Sequence, residues 1–370
     1  MNIILIIPQL GSGGAERQFV YLAQGLKQKG YSVKVVVFYP EKSFFRSAID
    51  ACDIPVHEIE KKPGFSLVFL LKFLHQVGRL DCDVIISFLS SANLYSEILK
   101  FFRPSIKLIV SERSSHYDDS SYWTSLFYRV AHVVSNVVTT NNYSHYSWLK
   151  KYTWIDKKLE CVYNGFPLNS YYTPLLPRSP SEYKYLVIAR VSSGKNGLML
   201  IKALELFYKQ NKFIPKIYWA GNCGNCQADN DYYLAMRDML SKLPEVNNSW
   251  KWLGEVEDVT SLINQCHFLI HPSFHEGLPN AVCEAMMQAR PVLISDVCDH
   301  SRLIKHKERG FLFDPNNYKS IAHSILLSYD LSQEEFEKMS KSTRMYAESK
   351  LSFDSMINGY DVIIRNIISD

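Results

Sequence analysis

His271-Pro-Ser-Phe-His-Glu276-Gly-Leu-Pro-Asn280-Ala-Val-Cys-Glu284-Ala-Met286 decides how the chain is read. The apolar run 268–271 leading into it has the length and composition of a buried strand. A loop carrying Glu276 follows, and Pro279 and Asn280 open a helix over 281–289, proline being suited to the first helical position. Strand, short loop and helix in immediate succession form the repeating unit of an α/β sheet. The loop lies at the carboxyl end of its strand, where such sheets bind ligands.

The same alternation runs outward from this unit. Downstream, 291–295 reads as a strand and helices fill most of 317–369. Upstream, strands at 251–253, 216–220 and 185–189 alternate with helices at 229–242 and 197–209. The pattern pauses at Asn164-Gly165-Phe166-Pro167 and stays rich in Pro, Ser and Tyr as far as Pro180, which reads as a linker. Before it, strands at 3–7, 33–38, 84–88, 107–110 and 137–140 alternate with helices at 15–28, 66–78, 91–102 and 143–151. Two βα domains are therefore expected in the 370 residues, at 1–165 and 183–352 with a linker at 166–182, each a parallel sheet covered by helices on both faces. Joined by a hinge, two such sheets would face each other across a cleft.

Composition narrows the function. The formal charge of +4 is too mild to argue for nucleic acid. It is unevenly placed, however: through Thr173 there are 19 Lys and Arg against 14 Asp and Glu, and afterwards 22 against 23. A basic front half suits an anionic surface. Two segments mix cations with apolar residues and could lie at a lipid interface or form partly buried helices: 61–74, with Lys61, Lys62 and Lys72, and 143–158, with Trp148, Trp154, Lys150, Lys151, Lys157 and Lys158. No targeting signal is read at the N-terminus, and the apolar stretch 65–74 is too short to cross a bilayer. The eight cysteines read as reduced thiols, and Cys223 and Cys226 lack the second pair a zinc site needs.

The chemistry lies in the loops after strands. Helix N–H groups near Asn280 make an anion site. Glu284, in the helix's second turn, could accept hydrogen bonds from a ribose diol, and Glu276 could meet a second polyhydroxylated group. Taken singly, either glutamate is as readily a surface residue. After the strand 185–189, Arg190 and Lys195 could clamp a diphosphate and stabilise its growing charge. Gly13 and Gly14, in Gly11-Ser-Gly-Gly-Ala-Glu-Arg17, allow a phosphate or sugar to approach backbone. Glu16 stands where a dinucleotide fingerprint needs Gly or Ala, which disfavours a nicotinamide dehydrogenase. Asp81-Cys82-Asp83 precedes its strand rather than following it, so it does not read as a metal site.

Glu276 and Glu284, seven residues apart in the setting Glu-Gly-Leu-Pro-Asn…Cys-Glu-Ala-Met, resemble the paired-glutamate motif of retaining glycosyltransferases of family four. Arg190 and Lys195 resemble that family's diphosphate-binding pair, and Gly13-Gly14-Ala-Glu-Arg17 its first-domain loop. Asn164-Gly165 is similar to the hinge, although Pro167 replaces a usual acidic residue, and Trp252-Leu-Gly254-Glu-Val256 is similar to the loop against which the base lies.

The resemblance implies a GT-B fold, α/β, with two Rossmann-like domains and a last helix at about 353–370 returning to the first. It implies donor contacts from Gly254, Gly277, Leu278, Pro279 and Asn280 besides the four charged residues, with Glu276, Arg190 and Lys195 catalytic. The implied reaction moves a hexose or N-acetylhexosamine from a UDP-sugar, with retention and without metal or other cofactor. The implied acceptor is a lipid-linked saccharide, undecaprenyl-diphosphate-linked, in O-antigen or capsule synthesis at the cytoplasmic membrane face. Glu112, Arg113, His116 and Asn164 are open candidates for sugar or acceptor contacts. An NDP-sugar 2-epimerase and a non-catalytic nucleotide-sugar-binding subunit remain rival readings of the same architecture.

Overall fold

The computed structural model describes residues 1–64, 66–113, 132–151, 153–168, 183–224 and 226–369. The chain divides into two compact units, Met1–Gly165 with Phe353–Asp370, and Phe166–Ser352. Most of the stretch read as a linker, 169–182, lies outside the described residues, as does His116.

The first unit holds seven parallel strands: β1 (Asn2–Ile7), β2 (Ser32–Val37), β3 (Val56–Glu58), β4 (Val84–Phe88), β5 (Lys107–Glu112), β6 (Val137–Thr140) and β7 (Leu159–Cys161). Their order is β3-β2-β1-β4-β5-β6-β7. Alternate residues of each inner strand enter different cores. Ile3, Leu5 and Ile7 pack with helix Gly14–Gln28, while Ile4 and Ile6 pack with helices Leu67–Val77 and Ser90–Phe102. Burial on both faces is why these strands read as unbroken apolar runs. The final helix, Phe353–Ser369, puts Ile357, Tyr360, Ile364 and Ile367 into the first of these cores. Gly25 permits the approach, because a Cβ there would overlap Ile357.

The second unit holds six parallel strands: β8 (Lys184–Ile188), β9 (Lys216–Ala220), β10 (Trp250–Gly254), β11 (Phe268–His271), β12 (Val292–Ser295) and β13 (Gly310–Phe313), in the order β10-β9-β8-β11-β12-β13. From β8 the chain lays β9 and β10 outward on one side and then crosses to start the other side at β11. The switch point of this sheet therefore lies between β8 and β11, and that of the first between β1 and β4.

Strands β3, β7 and β13 are absent from the sequence reading. All three are sheet edges of three or four residues. An edge strand has one neighbour and needs no continuous apolar run. Helices of four to six residues, such as Val259–Asn264, are too short to show a period and escape in the same way.

Several side-chain expectations are corrected. Lys61 is only 8% exposed. Its Nζ donates to Tyr39 Oη, Lys62 O and Gly64 O and stands over the Tyr39, Phe69 and Tyr95 rings, so it closes a loop rather than facing an interface. Trp148 is buried, stacked on His145. Lys158 donates inward to Val133 O and Ser135 O. Pro279 is the residue preceding helix Asn280–Met287, one place earlier than read. Asp81 and Asp83 accept hydrogen bonds from Asn2 and so join the entrances of β1 and β4.

Candidate donor site

The carboxyl ends of β8, β9, β10 and β11 are stitched together by backbone. Gly221 N donates to Gly254 O at 2.6 Å. Gly221 has φ +140°, and a Cβ there would overlap Ala189 O, so no other residue fits. That carbonyl also accepts from Trp219 Nε1 at 2.8 Å, which anchors the start of the loop after β8 to the packed rings of Trp219, Trp250 and Trp252.

The loop after β8 then turns through Asn196, which is buried and left-handed at φ 59°. Asparagine tolerates this region better than most residues. Its Nδ2 donates to Pro272 O at 3.0 Å and Pro315 O at 2.8 Å, while Phe274 N donates to Gly194 O at 2.9 Å. These bonds bind the loop after β8 to the loops after β11 and β13, and Lys195 and Glu276 ride on the first two of these segments. Asn196 is absent from the sequence reading, where its only signal is an asparagine followed by a glycine, a pair that suits a turn.

At the switch point Lys195 Nζ donates to Glu276 Oε1. His271, the last residue of β11 and 3% exposed, brings Nε2 to 2.7 Å from the same oxygen. Ser273 Oγ lies 3.1 Å from that nitrogen. Burial opposes ionisation of Glu276, but His271 and Lys195 outweigh it and hold the carboxyl well below the usual range. His300, behind His271 with ring centroids 6.1 Å apart, is pushed down to about 4 by burial and by His271. Its Nδ1 stands 2.7 Å from Ser295 O, as a donor to it, and the ring is neutral at pH 7.

The other expected residues are placed as follows. Arg190 follows β8 but its side chain is two-thirds exposed and turns toward Asp229, whose Oδ2 lies 3.9 Å from Nε. Gly277 and Leu278 continue the loop to Pro279 and helix Asn280–Met287, whose start carries no side-chain cap from Pro279. Glu284 is half-buried on that helix. Gly254 is left-handed at φ 67° at the end of β10.

In the first unit, Gly13 makes room for Glu16, whose carboxylate occupies the place of a Cβ and accepts from Gln9 Nε2 at 3.0 Å. Glu112 is buried against His132 and Asn93, so its carboxylate is engaged inside the unit. Arg113 donates to Ser111 Oγ, Asn164 Oδ1 and Tyr360 Oη and lies over the Phe88 ring at 4.2 Å. It ties β5, Asn164 and the final helix together.

These features define the class: a doubly wound α/β protein whose second unit gathers a lysine, a glutamate and a histidine at its switch point. The family described as Glycosyltransferase Family 4 matches residues 12–170, and that described as Glycosyl transferases group 1 matches residues 182–330. A Campylobacter jejuni protein named GalNAc-alpha-(1->4)-GalNAc-alpha-(1->3)-diNAcBac-PP-undecaprenol alpha-1,4-N-acetyl-D-galactosaminyltransferase is 26% identical over 349 residues, 91% of each chain. A glycosyltransferase from Rickettsia africae superimposes with a TM-score of 0.84 at 17% identity, covering 100% of this chain and 99% of that one. Anabaena Alr3699/HepE in complex with UDP does so with a TM-score of 0.83 at 18% identity, covering 99% and 100%. The chain belongs to the family-four type of glycosyltransferases and has the GT-B fold.

Proposed function

We propose that this glycosyltransferase moves a hexose or N-acetylhexosamine from a UDP-sugar to an undecaprenyl-diphosphate-linked saccharide, with retention and without a metal ion, in O-antigen or capsule synthesis. The observation that carries the reading is the meeting of Lys195 and Glu276 at the switch point of the second sheet. Lys195, with Arg190, supplies the charge that steadies the departing diphosphate, and Glu276 takes hydroxyls of the transferring sugar. Glu284, on the helix that follows β11, and Gly254, at the end of β10, suit the ribose and the base. The bond from the anomeric carbon to the diphosphate oxygen breaks as the acceptor oxygen bonds to the same face. The acceptor's proton passes to the leaving phosphate, so no separate base is required. The UDP held by the Anabaena protein and the lipid-linked saccharide named for the Campylobacter one support the donor and acceptor classes.

The test is transfer from radiolabelled UDP-sugars into a lipid extract, run with and without EDTA, with the product linkage read by NMR. The expected result is an EDTA-resistant α-linkage from an α-linked donor. A β-linkage, or a complete loss restored by Mn²⁺, would sink the reading.

The same reading puts the first unit on the cytoplasmic face of the membrane. No helix among the described residues is long and apolar enough to cross one. Helix Leu67–Val77 leaves Leu67, Val68 and Leu71 at least 60% exposed, beside exposed Lys62 and Lys72. Three aliphatic side chains flanked by cations suit an anionic leaflet, at ~1 kcal/mol per cation. Replacing Lys62 and Lys72 together by alanine is expected to weaken binding to anionic vesicles by up to ~30-fold at low salt. Hydrolysis of the UDP-sugar in solution should be unchanged, since Lys195 and Glu276 belong to the other unit. Equal co-sedimentation of variant and wild type would reduce this face to a solvated one and favour a soluble acceptor.

A further inference from the structure

His271 has no assigned part in the reaction, yet it is set more deeply than either Lys195 or Glu276, with which it meets at the switch point. It ends β11 and is held in register with Ile294 of β12. Its Nε2 faces a carboxylate oxygen, which can only accept, so Nε2 carries the proton and donates. Ser273 Oγ is close enough to share that nitrogen. Its Nδ1 is buried without a hydrogen-bond partner, so the ring makes no polar bond on its other side. A buried nitrogen left unsatisfied costs stability, and a leucine of similar size would avoid that cost. The histidine is therefore poorly explained as core filling.

Two donors on one oxygen, Oε1, fix the rotation of the Glu276 carboxylate and so the direction of its second oxygen. The two donors are not equivalent. Lys195 comes from a loop, and its side chain is 26% exposed. On the donor reading above, on which this inference rests, a diphosphate draws that ammonium toward itself. His271 is walled into the sheet and cannot follow.

We infer that His271 is the positioning residue that keeps Glu276 oriented toward the transferring sugar when Lys195 turns to the diphosphate. The charged and titratable groups that act on Glu276 include Lys195 from the loop after β8 and His271 from β11, with neutral His300 behind His271 from the helix after β12.

The test compares His271→Leu, His271→Gln and Glu276→Gln for transfer with UDP-sugar, with thermal melts as the fold check. Glutamine can return a donor N–H near the place of Nε2, and leucine cannot. His271→Leu should lower kcat on the order of 10- to 100-fold, the scale of misplacing a reacting group by about 1 Å, with donor KM changed less. The acid limb of its kcat/KM profile should also move to higher pH, because Glu276 has lost a partner of its charged form. His271→Gln should recover most of both. Adding His271→Leu to Glu276→Gln should cost nothing further.

A folded His271→Leu with wild-type kcat and pH profile overturns the inference, as does a loss that glutamine fails to rescue while the melts stay unchanged. Wild-type activity in Glu276→Gln instead overturns the donor reading itself, so the two failures are distinguishable.

Discussion

Replacing Lys195 by alanine is expected to lower kcat/KM for the sugar donor by ~10²-fold or more, a loss of ~2.7 kcal/mol of transition-state stabilisation. The factor exceeds that of an ordinary surface cation because two effects add. The ammonium is a preorganised charge partner for a diphosphate that gains charge as the glycosidic bond breaks. In the structure it also holds Glu276, so its removal takes one charged partner from that largely buried carboxylate. Glu276 should then ionise less readily, and the acid limb of the activity profile should rise. Arg190→Ala should also reduce turnover, but without that pH effect, because Arg190 makes no bond to Glu276 and faces solvent beside Asp229. Steady-state kinetics across pH, with melts to establish folding, are the measurement. Wild-type kcat/KM in Lys195→Ala would remove this residue from the site.

The second large effect belongs to the stability of the first unit. His132→Ala is expected to cost ~3–5 kcal/mol, the usual result of removing one partner from a buried ionic group. His132 is buried, with Nδ1 at 2.9 Å from Glu97 Oε1 and Nε2 at 3.2 Å from Glu112 Oε1. Nδ1 donates to Glu97, and the Glu112 carboxylate beside Nε2 adds a second negative charge, so the ring is charged. Burial opposes that charge, but Glu112 and Glu97 overcome it and raise the pKa to about 9. Glu112 is held low in turn: burial opposes its charge, and His132, His145 and Asn93 outweigh the burial.

The pH dependence follows from the sign. A histidine raised from its ordinary ~6.5 contributes stability that is fully present below about pH 6.5 and is lost as pH rises through about 9. Chemical unfolding of the wild type should therefore show the first unit weakening across that window, and His132→Ala should be flatter there. Parallel curves for the two proteins would show that the His132 charge is not coupled to folding.

Much of the architecture was legible because it is written in local chemistry. The runs 3–7, 84–88 and 268–271 are apolar on both faces, as parallel strands covered by helices must be. Lys195 and Glu276 were legible because unusual residues fall in loops after such strands. The edge strands Val56–Glu58 and Leu159–Cys161 were not, since one neighbour and three residues leave no pattern to read.

Which side chains meet is another matter. Lys61 and Trp148 stayed open between an interface and a packed role because a cation or an indole beside apolar neighbours looks the same in sequence whether it snorkels outward or packs inward. Glu112 read as an open candidate for substrate, and its engagement with His132 depends on a residue twenty positions away. The parallel αβ repeat, the residue types available to hold an anion and the positions of the strand-end loops were determined by the sequence alone, through burial periodicity and backbone chemistry. The tertiary structure alone decided that Lys195 and His271 converge on one oxygen of Glu276. That contact spans 81 positions and exists because β8 and β11, distant in the chain, are neighbours at the point where the sheet reverses its order.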